Sequence, residues 1–457
     1  MAFDIINPAT GGKVDSYPEM PPAEVQAILE QAAAAQRAWA GTAFAERAAR
    51  MRALAALLRA NKDVYARQMV TEMGKILAQG VAEVEKCAWV CDYYAEHAEA
   101  FLAPEEVPTE AAHSFVTYRP LGVVLAVMPW NFPLWQVFRF AVPALMAGNG
   151  AVLKHAPNVF GCALLIERLF AEAGFPDSLF RALIIDIPQT TGVIHNPLVA
   201  AVTITSSVRA GRAVAAEAGR ALKKCVLELG GSDPFIVLED ADIDRAVQVG
   251  IVGRFQNSGQ SCIAAKRFIV VDAVYDVFET RFVEAAGALR MGDPLEEGVY
   301  IGPLARADLR DGLHDQVQRS VAAGARVLIG GQPPDTAGAF YPPTVLADVR
   351  PGMPAWSEEL FGPVASLIRV RDEAEAIEVA NATEFGLGGA VWTRDLARGE
   401  RIAAEAIESG AAFVNDMSKS DPRLPFGGIR SSGYGRELSI HGIREFVNVH
   451  TVWVSGE

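Results

Sequence analysis

The chain is short of cysteine, of uncharged apolar runs and of positive charge, and each shortage closes a class of function. Its cysteines, Cys87, Cys91, Cys162, Cys225 and Cys262, are scattered over 457 residues without a CxxC pair. That pattern offers neither a disulfide framework nor a zinc site, and it points to a reducing, cytoplasmic setting. Cys87 and Cys91 lie one helical turn apart with no companion Cys/His pair, so they read as a helix face and no metal is expected. No segment approaches the roughly 18 apolar residues of a membrane span. Leu121 to Phe132 is too short and contains Pro129 and Asn131. The opening MAFDIINPATGG has neither a basic segment before an apolar core nor an Arg-rich transit pattern, so it is expected to begin as the mature protein. Lys and Arg number 41 against 55 Asp and Glu, a net charge of -14, which disfavours a nucleic-acid surface and suggests a small-molecule partner. Repeats, low-complexity tracts and the GxGxxG fingerprint are also missing.

What is present is a globular composition, 51% hydrophobic, long enough for about two or three domains. Pro21-Pro22 opens a helix with Val25, Ile28, Leu29 and Trp39 inward, a second starts near Phe44, and helical pattern continues to Phe101. The first hundred residues therefore read as helical. Phe115 to Tyr118 alternates as a strand. From Leu121 the pattern becomes short β-rich runs separated by helices: Val123–Met128, Gly150–Leu153, Leu183–Ile187, Val199–Thr205 and Lys224–Leu229. Such alternation predicts a parallel sheet covered by helices. It restarts after Cys262 with Arg267–Val271, Arg326–Ile329, Leu367–Val370 and Ala411–Asn415, which implies a second α/β domain, and Glu445–Val454 alternates as a final strand.

Several residues carry possible chemistry. In QNSGQSC, Gln256 to Cys262, a thiol stands among small and polar residues, where backbone N–H donors and an open cleft would make Cys262 a nucleophile; a packed cysteine at a helix start is the ordinary alternative. Gly259, Ser258 and Ser261 are expected to let the backbone approach a ligand. Asn131 follows an apolar strand, where open α/β sheets bind ligands, and its amide suits an oxyanion; it also suits a turn between Pro129 and Pro133. Lys154 at the end of the next run can meet a phosphate or ribose, or solvent. Glu228 ends an apolar strand before Gly230-Gly231, and a partly buried carboxylate there would have a raised pKa and serve as a general base. Of Glu358 and Glu359, one could take vicinal ribose hydroxyls, or both could cap a helix.

In order and spacing these blocks resemble the aldehyde dehydrogenase superfamily across essentially the whole chain: PWNFP at Pro129, ELGG at Glu228, NSGQSC ending at Cys262, EELFGPV at Glu358 and PFGG at Pro425. The resemblance implies an α/β fold of two Rossmann-like doubly wound domains with a small β oligomerisation arm. Residues 1–100 and 121–229 would bind NAD or NADP, 230–435 would be catalytic, and 101–120 with 436–457 would form the arm. It further implies that Cys262 attacks an aldehyde, that Asn131 and the Cys262 N–H hold the oxyanion, and that Glu228 activates the hydrolytic water. Trp130, Lys154, Ser207, Gly211, Glu359 and Phe361 would hold the cofactor. Pro157 replaces a carboxylate common in NAD-specific members, leaving NADP open, and Ser206 stands where Gly is frequent. Ala264 excludes the two-cysteine redox switch of some relatives.

Within that superfamily MPWNFPLWQ, LKHAPN and KKCVLELGGSDPFIVL look most like the shorter bacterial succinate semialdehyde dehydrogenases. That resemblance gives Arg139 the distal carboxylate of the substrate. Gln256 stands where some relatives have a second arginine, so Ser420 or Arg423 would share the task. A homodimer or homotetramer acting on a small aldehyde is expected, with no nucleic acid or membrane partner. The alternatives are a broad-specificity enzyme for medium-chain or aromatic aldehydes, a CoA-acylating relative, disfavoured by Glu228, and a non-catalytic protein on the same scaffold.

Overall fold

Apolar strands covered on both faces build two separate sheets, and a computed structural model describes residues 2–456. The first sheet has the order Gly433–Tyr434, Lys224–Glu228, Val199–Thr205, Val123–Met128, Gly150–His155 and Phe180–Ala182. All its pairings are parallel except that of Gly433–Tyr434. Val124, Ala126 and Leu153 join one core with the helices Trp135–Met146 and Phe160–Glu172. Leu125, Val152 and Val202 face the other way, onto Val25, Ile28 and Leu29 of the helix Pro22–Trp39. Burial on both faces explains why these strands are near-continuous apolar runs instead of alternating ones. The strand order reverses at Val123–Met128, so a crevice opens beyond the carboxyl ends of that strand and Val199–Thr205.

The second sheet runs Arg326–Ile329, Thr344–Ala347, Val364–Val370, Ala265–Val271, Asp233–Val237, Gly388–Trp392 and Ala411–Val414. It is parallel apart from its first strand. Val447–Val454, His113–Pro120 and Glu105–Glu106 form an antiparallel arm that leaves Val449 and Trp453 exposed.

The structure departs from the sequence reading in several places. Ala2–Ile6 and Lys13–Pro18 form a hairpin, so the first hundred residues are not all helical. Leu183 to Ile185 are buried but belong to no strand, and Ile187 begins a helix; the strand there is Phe180–Ala182. Burial alone makes a run apolar, and Asp186, which caps that helix by accepting from Gln189 N, was the missed stop signal. The last strand starts after a helix, Ser439–Glu445. Gly433–Tyr434, inside the segment assigned to the second domain, pairs with the first sheet beside Glu228.

Candidate active site

The thiol follows an unusual turn. The helix Ile243–Phe255 ends, and Asn257, Ser258 and Gly259 take φ of 57°, 53° and 71° in succession. Left-handed backbone costs about 1–2 kcal/mol per non-glycine residue, so surrounding bonds must hold it. They do. Asn257 N donates to Gln79 Oε1 at 2.7 Å, Asn257 Nδ2 to Asn131 O at 2.8 Å, and Ser258 Oγ to Gly302 O at 3.1 Å. A Cβ on Gly259 would strike the Gly362 carbonyl. The small residues here therefore serve protein packing, and the expectation that Gly259 and Ser258 make room for a ligand is corrected. Ser261 does line the cleft. Cys262 is half-buried; its carbonyl accepts from Lys266 Nζ at 2.7 Å and lies where a Cβ on Gly231 would be 2.5 Å away.

Asn131 is bound to the turn before Cys262, and buried braces hold it there. Its backbone carbonyl accepts from Lys75 Nζ at 2.9 Å, and Lys75 pairs with Glu83, whose Oε1 also accepts from Leu134 N and Trp135 N at 2.9 Å each. That carboxylate satisfies donors at the start of the helix Trp135–Met146. On the other side the His155 ring spans two carbonyls of the turn that carries Asn131, Nδ1 3.1 Å from Met128 O and Nε2 2.9 Å from Pro133 O. Burial lowers the His155 pKa to about 4, against the two carbonyls that raise it. Asn131 Nδ2 gives one hydrogen to Gln260 O at 3.0 Å and keeps the other for a ligand oxygen.

Glu228 is buried with both carboxylate oxygens unpartnered in the protein. Burial and the charge of Glu437 push its pKa well up, while Arg139 and Arg436 oppose them. A Cβ at Gly427 would lie 2.6 Å from Glu228 Oε1, so the glycine of PFGG makes room for that carboxyl. The Cys262 thiol is likewise pushed up to about 12 by burial, with Arg139 and Lys266 pulling it down and Glu359 and Glu228 raising it. Thiol and carboxyl are thus close enough for their charges to act on each other.

Cys262 opens onto a cleft of about 190 Å³. Arg139, Gln256 and Ser420 line it. Arg139, however, is almost fully buried, ion-paired with Glu437, 3.3 Å from Thr205 Oγ1 and 4.4 Å over the Phe426 ring. Its charge already has a counter-ion. Arg423 does not line the cleft: it is exposed, forked onto both oxygens of Asp421 at 2.9 and 2.7 Å and set over Trp89. Its placement at the substrate is corrected, because an adjacent acid captures it.

Another group of candidate residues stands around the carboxyl ends of the first sheet's strands. Lys154 is buried at the end of Gly150–His155, its pKa lowered to about 8 by desolvation. In the turn after it Asn158 keeps both side-chain polar atoms buried and unpartnered. Ser207 caps the helix Val208–Arg220, and a Cβ on Gly211 would collide with Leu229, which keeps that helix close to the strand end. Glu359 Oε1 accepts from Gly231 N at 3.0 Å, and Trp130 meets Phe361 edge-on at 5.7 Å.

The profile of the aldehyde dehydrogenase family matches residues 1–452. The chain belongs to that family. This aldehyde dehydrogenase is 50% identical to succinate semialdehyde dehydrogenase [NAD(P)+] Sad of Escherichia coli K12, over 98% of its own length and 97% of that protein's. It is 49% identical to a probable succinate-semialdehyde dehydrogenase [NADP(+)] of Synechocystis, covering 100% of both chains. Among solved structures it is similar to the succinic semialdehyde dehydrogenase of Streptococcus pyogenes in complex with NADP+. That match has a TM-score of 0.97 and 37% identity and covers 99% of this chain and 100% of the other. Among the described residues of the dehydrogenase no helix is long and apolar enough to cross a membrane.

Sequence reasoning missed Lys75, Glu83, Lys86, Lys266 and Glu437. A lysine or acid in a helix, such as Lys86 in Leu77–Phe101, carries no mark of burial. Lys266, just after the nucleophile block, and Glu437, just after GYGR, stood beside motifs and could have been suspected.

Proposed function

We propose that this aldehyde dehydrogenase oxidises succinate semialdehyde to succinate, reducing NAD+ or NADP+. The reading is supported by the Cys262 thiol on a cleft with cationic walls, by the spare Asn131 donor bound to the turn before that thiol, and by the unpartnered Glu228 carboxyl, whose charge raises the thiol's pKa. The names of the similar proteins support the same substrate and cofactors.

Attack on the aldehyde carbon needs the Cys262 thiolate, which Lys266 and Arg139 favour against burial. The oxyanion that forms is held by Asn131 Nδ2–H and the Cys262 N–H. The residues at the first sheet's carboxyl ends fit a dinucleotide: the capped helix start of Ser207 suits a pyrophosphate, and Lys154 and the orphaned Asn158 suit the adenosine ribose and any phosphate on it, while Glu359, beside Gly231, suits the other ribose. When bound, the nicotinamide supplies the two-electron acceptor that converts the Cys262 adduct to a thioester. Glu228, once deprotonated, takes a proton from water as that water attacks the thioester, and collapse of the adduct releases the carboxylic acid and the Cys262 thiolate.

In this reading residues 1–100 and 121–229 bind the cofactor, 230–435 carry the nucleophile, and the arm of 101–120 and 436–457 joins subunits of a homodimer or homotetramer. The exposed Val449 and Trp453 support that role of the arm, and five free cysteines suit a cytoplasmic enzyme. Initial rates of NADH and NADPH formation with succinate semialdehyde, hexanal and benzaldehyde test the function. A higher kcat/KM for succinate semialdehyde is expected; a higher value for hexanal or benzaldehyde would replace the assignment with a broad-specificity one. Light scattering of a stable monomer at micromolar concentration would remove the arm's role.

A further inference from the structure

Two basic side chains, Lys266 and Arg267, stand next to each other in the buried strand Ala265–Val271. Successive residues of a strand point to opposite faces, so the two serve different neighbours. Arg267 spends its guanidinium on the carbonyls of Ser232, Val379 and Ala380, a packing task. Lys266 turns to the nucleophile. Its Nζ donates to Ser261 O at 2.9 Å and to Cys262 O at 2.7 Å, and it faces Glu359 Oε1 at 3.4 Å. An ammonium has three hydrogens, and here three acceptors surround it. Burial lowers its pKa, while Glu359 and Asp233 support the charged form.

The contact with Ser261 O matters most, because that carbonyl belongs to the same peptide unit as the Cys262 N–H. In a trans peptide the C=O and N–H are coplanar and point in opposite directions. An ammonium on Ser261 O therefore fixes the direction of the Cys262 N–H, and by drawing on the carbonyl it makes that N–H a stronger donor. Ser261 O also accepts from Ala264 N at 3.2 Å, a longer and uncharged contact. The preceding carbonyl, Gln260 O, is bound by Asn131 Nδ2 at 3.0 Å and Asn257 Nδ2 at 3.1 Å. Among the described residues nothing accepts from the Cys262 N–H. Three successive carbonyls are thus held by side chains, and the donor between them is left for a ligand oxygen.

We infer that Lys266 is a positioning residue for the oxyanion, aiming the Cys262 N–H by pinning the Ser261 carbonyl. The inference rests on the proposed role of Cys262 as nucleophile and is independent of which aldehyde the enzyme takes. Glu359, the counter-ion of that ammonium, ties the same device to the residue proposed for a ribose.

The test uses cofactor-free enzyme and two probes of one thiol. 4-Nitrophenyl acetate is attacked at its carbonyl carbon: the C–S bond forms, an electron pair moves to oxygen, and collapse of that oxyanion expels 4-nitrophenolate. Iodoacetamide is attacked at a saturated carbon and expels iodide with no oxyanion. Both rates scale with the thiolate population, so the ratio of acylation to alkylation cancels any effect of the Lys266 charge on ionisation. Loss of an oxyanion donor costs about 100- to 1000-fold, and a donor left in place but no longer aimed should cost about 10- to 100-fold. That fall in the ratio is expected in Lys266→Met, with Lys266→Gln as a second variant should the first fold poorly. Lys266→Arg, which keeps charge and donors, should recover part of it. An unchanged ratio in Lys266→Met or Lys266→Gln overturns the positioning role, even when both rates fall together. Release of 4-nitrophenolate by Cys262→Ala as fast as by wild type overturns the nucleophile and the inference with it.

Discussion

Arg139→Met separates the role that the resemblance gives this arginine from the one its surroundings give it. The side chain lies between the Phe426 ring and Glu437, itself buried, and its charge lowers the pKa of Glu228. Removing one partner of such a pair costs about 3–5 kcal/mol while the other stays ionised. Glu437 can escape that cost by binding a proton. Its folded pKa is already raised by burial, so its contribution to stability is present below the ordinary carboxylate pKa and is lost as pH rises through the raised value. Without Arg139 that pKa rises further. The gap in Tm between wild type and variant should therefore be small near pH 5 and widen toward pH 9. Kinetically, loss of an opposite charge near Glu228 should move the acidic limb of the kcat profile up, on the order of one to two pH units, for succinate semialdehyde and hexanal alike. Thermal melts and pH–rate profiles with both aldehydes read the two effects. If the limb stays put while KM rises for succinate semialdehyde alone, Arg139 is the carboxylate clamp and the reasoning from its ion pair is wrong.

Cys262→Ala should abolish aldehyde oxidation while leaving NADP+ binding measurable by calorimetry. Asn131→Ala removes the side-chain oxyanion donor and should lower kcat by about 100- to 1000-fold. Lys75→Met strands Glu83 in the interior and should lower stability by about 3–5 kcal/mol, seen as a drop in denaturation midpoint without a change of slope.

The parts of the site carried by local blocks were legible in the sequence because their chemistry and spacing are contiguous: Asn131 between prolines, Glu228 before two glycines, Cys262 in its polar run. The strands Val123–Met128 and Val199–Thr205 were legible for a similar reason, since burial on both faces leaves an unbroken apolar signature. Pairings between distant segments were not. Nothing near Arg139 announces that Glu437 will neutralise it, and nothing near Lys86 announces that it will be buried without an acid. Gly259 reads as room for a ligand until the fold brings the Gly362 carbonyl against it. Apolar runs also mislead where a capped helix follows, as at Leu183 to Ile187.

The antiparallel strand Gly433–Tyr434 closes the outer edge of the first sheet next to Glu228, and the same terminal segment supplies Gly427 and Glu437 to that carboxyl. The first sheet is therefore finished by residues that come after the whole second sheet in the chain. During translation the strand Lys224–Glu228 has an open edge, a template for wrong pairing, until that segment emerges. Glu228 thus acquires its surroundings only after every strand of the second sheet has been made.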